Sequence, residues 1–200
     1  MKRYLQGAQA EKGFDIWEEM LPTPVGPVWM GFSPAGLRAV SFHRPGGESG
    51  PQWPVRQQQE EPELTSRLRQ WRQETTDALK AYFAGELRTF EHLRLDVRGT
   101  AFQIKVWEAV RQTPFGAIIT YQTLAHSLNL PRGARSVGGA LGANPLPIII
   151  PCHRVVASDG SLGGYSAGLH LKRLLLSHEQ TILGRPPIPL HGPVRIEGGH

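Results

Sequence analysis

The sequence predicts an α/β protein of the α+β type, in which a small N-terminal α/β unit precedes a mostly helical C-terminal unit. Short alternating segments bounded by Pro and Gly occupy residues 15–42, and a helical period follows over residues 64–82. Short helical segments separated by Gly- and Pro-containing turns then fill most of residues 100–180. The 200 residues, 40% of them apolar, suffice for one compact domain or two small ones.

A β-hairpin is the clearest signal in the first half of the chain. Residues 28–32 and 37–42 have strand composition, and residues 33–36 between them have turn chemistry. We expect residues 16–21 to add a further strand. The stretch over residues 43–62 is rich in Pro, Gly and Gln and is expected to be a loop.

One amphipathic helix is predicted after this loop. Apolar and small residues recur at steps of three and four from Leu64 to Tyr82, and Gly85 is placed to end the helix. Residues 93–97 alternate as a strand does. Because residues 1–97 contain no catalytic constellation, we interpret them as an N-terminal α/β support domain.

The composition changes near the middle of the chain, and we expect a second domain over residues 98–183. Thr100 and Gln103 have the spacing of a capping box, which predicts the start of a helix. Thr120 is a candidate N-cap for a second helix. Residues 184–200 show no apolar period and are expected to form an irregular tail.

Two short helices joined by a turn form a helix-turn-helix candidate over residues 120–128 and 134–141, with the turn at residues 129–133. The second helix is rich in glycine, although each interior glycine costs up to about 1 kcal/mol relative to alanine. Two interpretations stay open. The small residues let this helix approach DNA with Arg135 projecting toward it, or they let it pack inside the domain with Arg135 in solvent.

The positive charge of the protein is concentrated in its second half. The net charge is +5, with 12 Lys and Arg against 13 Asp and Glu in residues 1–97, and 10 against 4 in residues 98–200. This asymmetry favours a polyanionic partner, nucleic acid first, and charge for solubility explains it equally well. No run approaches the ~18 apolar residues of a membrane span, and the N-terminus lacks a signal-peptide pattern. We expect a cytoplasmic protein that does not bind membranes.

The only cysteine, Cys152, follows the apolar residues 148–150, which are expected to form a rigid strand, and Pro151. A lone cysteine is most often a small buried hydrophobe. Here the next residues are His153 and Arg154, and nearby cations lower the pKa of a thiol, which favours the reactive thiolate. Side chains of adjacent residues in an extended chain point apart, so His153 is expected to act as the base through a water relay.

A histidine base needs a third group to orient its ring, and an acidic residue is the usual choice. Asp159 and Glu179 are the acidic residues between Cys152 and the tail. Asp159 lies in a turn-rich loop and is explained by an Asx turn. Glu179 lies near the end of a predicted helix, where a negative charge is unfavourable, and this placement predicts a specific partner.

A five-residue motif surrounds the cysteine: Pro151, Cys152, His153, Arg154 and Val155. This motif resembles the active site of the O6-alkylguanine-DNA alkyltransferases, also called methylated-DNA–protein-cysteine methyltransferases. The similarity is close over about residues 100–180 and loose over residues 15–97. Further matching segments are FQ at 102–103, VW at 106–107, PFG at 114–116, TY at 120–121, ARSVGGA at 134–140, NP at 144–145 and GGYS at 163–166.

The resemblance implies a fold and an activity. The N-terminal domain is expected to be ribonuclease-H-like, and the helix-turn-helix is expected to bind double-stranded DNA through the minor groove. The implied function is DNA repair by direct damage reversal, in which Cys152 takes the alkyl (methyl) group from O6 of a flipped-out guanine, and also from O4 of thymine. The transfer is irreversible and each molecule acts once, as a monomer and without a cofactor.

The resemblance also assigns roles to residues. Cys152 is the nucleophile, His153 takes its proton through water, Glu179 holds His153, and Asn144 fixes the turn that carries the cysteine. Tyr121 crowds the adjacent phosphate, promotes rotation of the base and donates a proton toward it. Arg135 is the residue expected to intercalate. Further DNA contacts are implied for Gln103, Gln122, Ala134, Ser136, Gly138 and Ser158. The base pocket is implied to contain Pro147, Val155, Tyr165 and Ser166.

The sequence departs from some relatives. They carry a zinc site of Cys and His in the N-terminal domain, whereas here no cysteine exists besides Cys152, and His43 and His92 lack the spacing for a replacement. We therefore expect no metal. Ala167 stands where many members have Gly. Two other functions stay open: a helix-turn-helix module that binds damaged DNA without transfer, and a cysteine hydrolase with a Cys-His-Glu triad, which would need an oxyanion hole.

Overall fold

The computed structural model describes residues 17–48, 50 and 62–190. Within these ranges the chain forms two small sheets and five α-helices. The expectations for residue 16, for much of the loop at residues 43–62 and for residues 191–200 of the tail lie outside the described residues.

A three-stranded antiparallel sheet forms the N-terminal part of the structure. Its strands β1 (Trp17–Thr23), β2 (Gly26–Ser33) and β3 (Gly36–Ser41) pair in sequence order. The predicted hairpin is confirmed, and the further strand expected before it is β1. Gly36 has a φ of +143°, and a Cβ there would lie 2.6 Å from the carbonyl oxygen of Arg94, so this position requires glycine.

Residues 93–97 alternate between buried and more exposed positions as predicted, but the prediction of a strand is wrong. Leu95 makes one isolated parallel bridge to Leu37. Hydrogen bonds from Leu37 N to Arg94 O (2.9 Å) and from Asp96 N to Leu37 O (2.8 Å) hold the segment beside β3. Alternation determines which side chains are buried, and it does not determine how many backbone groups find a partner strand.

Helix α1 (Pro62–Ala84) packs against this sheet and confirms the predicted amphipathic helix. The side chain of Leu64 lies outside the described part of the molecule. Gly85 ends the helix with a φ of +79°, a left-handed conformation that glycine adopts without strain. The buried positions of the helix are Leu68, Thr75, Thr76, Ala78, Leu79 and Tyr82.

Helices dominate the C-terminal part of the structure. The capping box predicted at Thr100 and Gln103 is confirmed, and the Thr120 hydroxyl accepts a hydrogen bond from Thr123 N as an N-cap. The four helices are α2 (Ala101–Arg111), α3 (Tyr121–Ser127), α4 (Ala134–Gly142) and α5 (Leu169–Ile182).

The two short helices α3 and α4 pack against each other and confirm the predicted pair joined by a turn. Asn129 in this turn has a φ of 59°, a conformation that asparagine tolerates better than most residues. Helix α2 packs behind α4, where the buried Trp107 Nε1 donates a hydrogen bond to the carbonyl oxygen of Ala140 at 2.8 Å. One face of α4 is thereby fixed against the core.

The isoleucine run is not the rigid strand that was predicted. Residues 148–150 are buried, but Ile148 has a φ of 74°. The run forms a turn, and an isolated bridge joins Pro147 to Ile150 across it. Pro147 and Pro151 cannot donate to a sheet ladder. A short run of apolar residues indicates burial and leaves the backbone conformation open.

The cysteine motif is also not extended. Cys152–Arg154 form one turn of 3-10 helix. The next residues form β5 (Val155–Val156), which pairs in parallel with β4 (Ile119–Thr120). This pairing joins the cysteine turn to the start of α3.

The buried apolar residues of both halves of the chain form one cluster, which extends from the sheet and α1 to Cys152 and α5. The division at residue 97 therefore stays a prediction. In the part of the chain that the structure describes, no helix is long and apolar enough to cross a membrane.

Candidate active site

Cys152 is buried, with 5% of its surface exposed, and it lines a cavity of about 430 Å³. The thiol is free. Helices α3 and α4 form one wall of the cavity, and the loop after β5 forms the other. The lining residues are Tyr121, Gln122, Ala134, Arg135, Gly138, Leu141, Gly142, Cys152, Ala157, Ser158, Gly164, Tyr165 and Ser166.

Asn144 contacts both the thiol of Cys152 and the turn that carries it. Its Nδ2 group donates to Sγ of Cys152 at 3.0 Å and to the carbonyl oxygen of Ile150 at 2.9 Å. Its Oδ1 accepts a hydrogen bond from Leu146 N at 2.9 Å. Because the amide can only donate to the sulfur, this arrangement favours a thiolate at that position.

Burial raises the pKa of the Cys152 thiol, although the hydrogen bond from Asn144 and the charge of Lys172 oppose this effect. A cation does lower this pKa, as expected, but it is Lys172 and not the adjacent Arg154, and its effect is smaller than that of burial. The guanidinium of Arg154 points instead to Glu179, and desolvation of the thiolate outweighs the remaining attractions. The thiolate must be formed within the site by transfer of its proton to a base.

His153 and Glu179 form a buried pair, with 2.9 Å between Nε2 and Oε1. Burial of Glu179 opposes its ionisation, but hydrogen bonds from His153 and Arg154, together with the charge of Arg154, hold the pKa of its carboxyl well below the usual range. An ionised carboxylate only accepts, so Nε2 carries the proton and Nδ1 keeps its lone pair. Burial also lowers the pKa of His153 against the opposing effect of Glu179, which keeps the imidazole neutral.

Nδ1 of His153 is buried and has no hydrogen-bond partner among the described residues. It is thus the one ring nitrogen that is able to accept a proton. Asp159, the other acidic candidate, accepts a hydrogen bond from Ser161 N at 2.9 Å, which confirms the Asx turn expected there.

Arg154 is a functional residue whose role the sequence did not reveal. Nη2 lies 2.8 Å from Oε1 of Glu179, and Nη1 donates to the carbonyl oxygen of Thr113 at 2.6 Å. The sequence did carry one usable signal. A charged residue directly before the apolar pair Val155 and Val156, in a motif already flanked by apolar residues, needs a buried acidic partner.

Lys172 is a second residue that sequence reasoning placed only in the closing helix. It is fully buried, and Nζ donates to the carbonyl oxygens of Val155 (2.6 Å), Leu162 (2.5 Å) and Gly164 (3.2 Å). Burial lowers its pKa to about 8. Lys172 therefore ties the loop after β5 to α5.

Tyr121 stands at the mouth of the cavity. Its hydroxyl donates to the carbonyl oxygen of Gly164 at 3.1 Å, and Nζ of Lys172 lies 5.8 Å from its ring centroid. Burial raises the pKa of its hydroxyl. Gly163 has a φ of +67°, and a Cβ there would lie 2.6 Å from the Tyr121 ring, so glycine is required for the ring to hold this place.

Arg135 is exposed at the rim of the cavity, on the outward side of α4. The glycines of this helix are not explained by packing inside the domain. A Cβ at Gly139 or Gly142 would meet nothing within 4 Å, and one at Gly138 would make an ordinary contact of 3.8 Å with Tyr121. Of the two interpretations left open by the sequence, close internal packing thus lacks support.

Some predicted site residues lie away from the cavity. Gln103 Oε1 accepts from Thr100 N in the capping box, and Ser136 is exposed on α4 without lining the cavity. Pro147 and Val155 are buried and do not line it either. Val155 instead lies within β5. No group of three or more His, Cys, Asp or Glu that could hold a metal occurs among residues 17–48, 50 and 62–190.

Comparisons with known proteins agree with this geometry. Residues 101–181 match the family described as 6-O-methylguanine DNA methyltransferase, DNA binding domain. A methylated-DNA–protein-cysteine methyltransferase of Methanosarcina barkeri is 36% identical over 168 residues, which are 84% of this chain and 99% of the relative. The corresponding protein of Haemophilus influenzae is 36% identical and covers 80% of this chain and 83% of the relative.

Solved structures are similar over a comparable length. The Mycobacterium tuberculosis O6-methylguanine methyltransferase has a TM-score of 0.67 and 35% identity, and the match covers 83% of this chain and 93% of that one. The structure of Mycobacterium tuberculosis OGT in complex with DNA has a TM-score of 0.64 and 34% identity, with coverage of 82% and 93%. The predicted α+β fold is confirmed.

The fold and the site define a transferase that accepts its group on a protein cysteine. Relatives at this level of identity match over most of the chain and over nearly the whole of their own length. The chain belongs to the methylated-DNA–protein-cysteine methyltransferase family.

Proposed function

We propose that the protein repairs DNA by moving an alkyl (methyl) group from O6 of guanine to Sγ of Cys152. The observation that carries this proposal is the buried thiol of Cys152 in a cavity beside His153, whose proton-accepting Nδ1 faces away from the bond to Glu179. The names of the relatives, which specify methylated DNA and a protein cysteine, support it, as does the related structure with DNA.

The transfer is an in-line displacement at the alkyl carbon. The thiol proton of Cys152 passes through water to Nδ1 of His153, Sγ bonds to the alkyl carbon, and the bond from that carbon to O6 breaks with its electron pair going to the base. Tyr121 donates a proton to the base, so guanine leaves neutral, and the Tyr121 phenolate regains a proton from the imidazolium of His153 through water. Asn144 and Lys172 stabilise the thiolate, while Glu179 stabilises the imidazolium that forms beside it.

The product is S-alkylcysteine, a thioether. To break its carbon–sulfur bond, water would have to displace the Cys152 thiolate from a saturated carbon, and a thiolate is a poor leaving group in that reaction. Cys152 therefore receives one group and is not regenerated, so the reaction is stoichiometric and each molecule acts once. O4 of an alkylated thymine presents the same oxygen-bound alkyl carbon and is a second substrate.

The base reaches the thiol by rotating out of the duplex. Cys152 is buried at the cavity floor, so a stacked base cannot approach it, and extrusion costs only a few kcal/mol where pairing is already damaged. The outward glycines of α4 allow close approach to the minor groove, and the exposed Arg135 at the cavity rim fills the space that the base leaves. Gln122 and Ser158 at the rim contact the DNA backbone, and Tyr165 and Ser166 contact the base.

An intact-mass measurement tests the proposal. The protein, as a monomer, is incubated with a duplex that carries one O6-methylguanine, and with the same duplex unmodified as a control. We expect one added methylene per protein molecule, located on Cys152, with no turnover beyond one equivalent. Cys152→Ser should bind the lesion duplex without any gain in mass.

The same measurement distinguishes the alternative functions. A binding module without transfer activity would retain the duplex and keep its mass. A hydrolase would turn over repeatedly and keep its mass. Clearance of the lesion by Cys152→Ser would contradict the assignment of Cys152 as the acceptor.

A further inference from the structure

The carboxylate of Glu179 receives a hydrogen bond from the N-terminal half of the chain. The hydroxyl of Tyr82, on α1, lies 2.8 Å from Oε1 of Glu179, across 97 positions of sequence. Both side chains are fully buried. Burial and the adjacent Glu179 raise the pKa of the Tyr82 hydroxyl well above its usual value, so this group stays protonated and donates.

The hydrogen bond from Tyr82 is made to Oε1 of Glu179, the oxygen that also accepts from His153. Oε1 accepts from His153 Nε2 at 2.9 Å, from Arg154 Nη2 at 2.8 Å and from the Tyr82 hydroxyl at 2.8 Å. Oε2 accepts from Gly116 N at 2.8 Å and from Arg154 Nε at 3.1 Å. Tyr82 and His153 thus share one oxygen, and each bond reduces the negative charge available to the other.

This sharing affects how well His153 accepts a proton. A carboxylate that accepts only from Nε2–H of His153 stabilises the imidazolium strongly. A carboxylate that also accepts from other donors stabilises it less. The charged groups that act on His153 are Arg154 on its own turn and Glu179 and Lys172 on α5. Tyr82 on α1 acts on it through Glu179.

We propose that Tyr82 is a positioning residue of the transfer reaction, which through Oε1 of Glu179 sets how readily His153 accepts the thiol proton. The support domain therefore contributes to the chemistry of the cysteine site. The kinetic consequence rests on the proposed alkyl transfer, whereas the coupling between Tyr82 and His153 is a property of the free protein.

Tyr82→Phe is the test because it removes one oxygen and keeps the ring. The ring packs against Phe83, Phe90, Phe115 and His178 at centroid distances of 5.1–5.7 Å, and phenylalanine preserves these contacts. Thr76→Val is the matched control. It removes another buried hydroxyl of α1, one that has no hydrogen-bond partner among the described residues.

The first measurement is the single-turnover rate of transfer from an O6-methylguanine duplex as a function of pH. The rate falls at low pH because a protonated His153 cannot accept the thiol proton. In Tyr82→Phe the imidazolium is more favoured, so the acidic midpoint should move to higher pH by roughly half to one unit, the equivalent of one hydrogen bond. Thr76→Val should leave the midpoint where it is in the wild type.

The second measurement is the NMR resonance of the proton on Nε2 of His153, recorded without DNA. In Tyr82→Phe the hydrogen bond from Nε2 of His153 to Glu179 should shorten, and the resonance of this proton should move downfield. In Thr76→Val the resonance should not move. An unmoved resonance and an unmoved midpoint in Tyr82→Phe would overturn the proposal, even if the variant unfolds at lower urea, because a purely structural role predicts that combination. If the wild type transferred no alkyl group, the proposed function would fail, and the resonance would still decide the coupling.

Discussion

Arg154 and Glu179 form an ion pair in the interior, with 2.8 Å between Nη2 and Oε1 and side-chain exposures of 5% and 0%. The same carboxylate holds Nε2 of His153. One negative charge therefore neutralises a buried cation and also orients the imidazole of His153. Because Arg154 neutralises much of that charge, Glu179 favours the imidazolium of His153 less than an unpaired carboxylate would.

Replacement of Arg154 by Met is expected to leave the charge of Glu179 without its main partner. Breaking a buried pair by removing one member typically costs about 3–5 kcal/mol, since the remaining charge stays desolvated. We expect a loss of this size in the free energy of unfolding, measured by urea denaturation at pH 7.5. Transfer to Cys152 should also slow, because without Arg154 the carboxylate favours the imidazolium, and a protonated His153 cannot accept the thiol proton.

A second ion pair provides the control. Nε of Arg72 lies 2.6 Å from Oε2 of Glu19, with side-chain exposures of 37% and 29%. Surface pairs of this kind contribute about 0–1 kcal/mol. Arg72→Met should therefore change the free energy of unfolding by less than about 1 kcal/mol. Equal losses in both variants would show that burial of the Arg154 pair has no special energetic weight.

His153 makes the stability of the protein dependent on pH. Its pKa is lowered in the folded state by burial, whereas in the unfolded chain it is about 6.5. Below pH ~6.5 the unfolded chain binds more protons, so the free energy of unfolding falls as the pH drops toward the folded pKa, by at most about 1.4 kcal/mol per pH unit. Glu179, whose folded pKa is also lowered, adds to the loss below pH ~4.3.

Urea denaturation at pH 7.5, 6.5, 5.5 and 4.5 measures this dependence, and His153→Gln removes the contribution of the imidazole. We expect the variant to lose less stability than the wild type between pH 6.5 and 5.5. Identical slopes for the two proteins in that interval would mean that His153 binds protons equally in the folded and the unfolded protein, contrary to its lowered pKa in the folded state.

The elements that the sequence predicted correctly have local causes. The capping box of Thr100 and Gln103 and the N-cap at Thr120 depend on residues three positions apart. The glycine at position 85 similarly ends α1 by its own backbone freedom. Residues 93–97 and 148–150 were mistaken for strands, because their patterns report burial and the backbone partners lie elsewhere in the fold.

The residues of the candidate site also divide into those that the sequence indicated and those whose partners lie far away in the chain. Cys152, His153 and Glu179 were identified from residue types and their placement, and Asn144 through the resemblance. The structure brings these residues together. The contacts of Arg154, Lys172 and Tyr82 were not predicted, since their partners lie 25, 8–17 and 97 positions away. Only the folded chain shows that a tyrosine of α1 reaches the carboxylate of Glu179.

Gly163 is expected to tolerate no side chain. Its φ is +67°, and a Cβ would lie 2.6 Å from Cε2 and 3.0 Å from the hydroxyl of Tyr121. Gly163→Ala should lower the free energy of unfolding by about 1–3 kcal/mol. It should also slow transfer about tenfold or more, because Tyr121 is displaced from the cavity mouth. Urea denaturation and single-turnover rates measure both effects.

The neighbouring Gly164→Ala is the stability control, since a Cβ there meets nothing within 4 Å. Its free energy of unfolding should stay within about 0.5 kcal/mol of the wild type. A Gly163→Ala protein as stable and as fast as the wild type would mean that Tyr121 moves freely, and its assigned place at the cavity mouth would have to be given up.

Gly139 separates the demands of folding from those of DNA binding. It is exposed on α4, and a Cβ there would meet nothing within 4 Å. Gly139→Leu should raise the free energy of unfolding by about 0.5–1 kcal/mol, because leucine favours a helix over glycine. If α4 lies against the minor groove, the same side chain should weaken binding to a duplex about tenfold or more, by holding the backbone away from it.

Urea denaturation and fluorescence anisotropy at one fixed salt concentration measure the two effects, since affinity for DNA varies steeply with salt. Gly139→Ala is the matched variant, which should gain similar stability and lose less affinity because a methyl group displaces the helix less. A gain in stability together with a loss in affinity identifies the glycine as a residue retained for the partner. Unchanged affinity in Gly139→Leu would place the DNA on another face of the molecule, and the outward glycines of α4 would then have no assigned role.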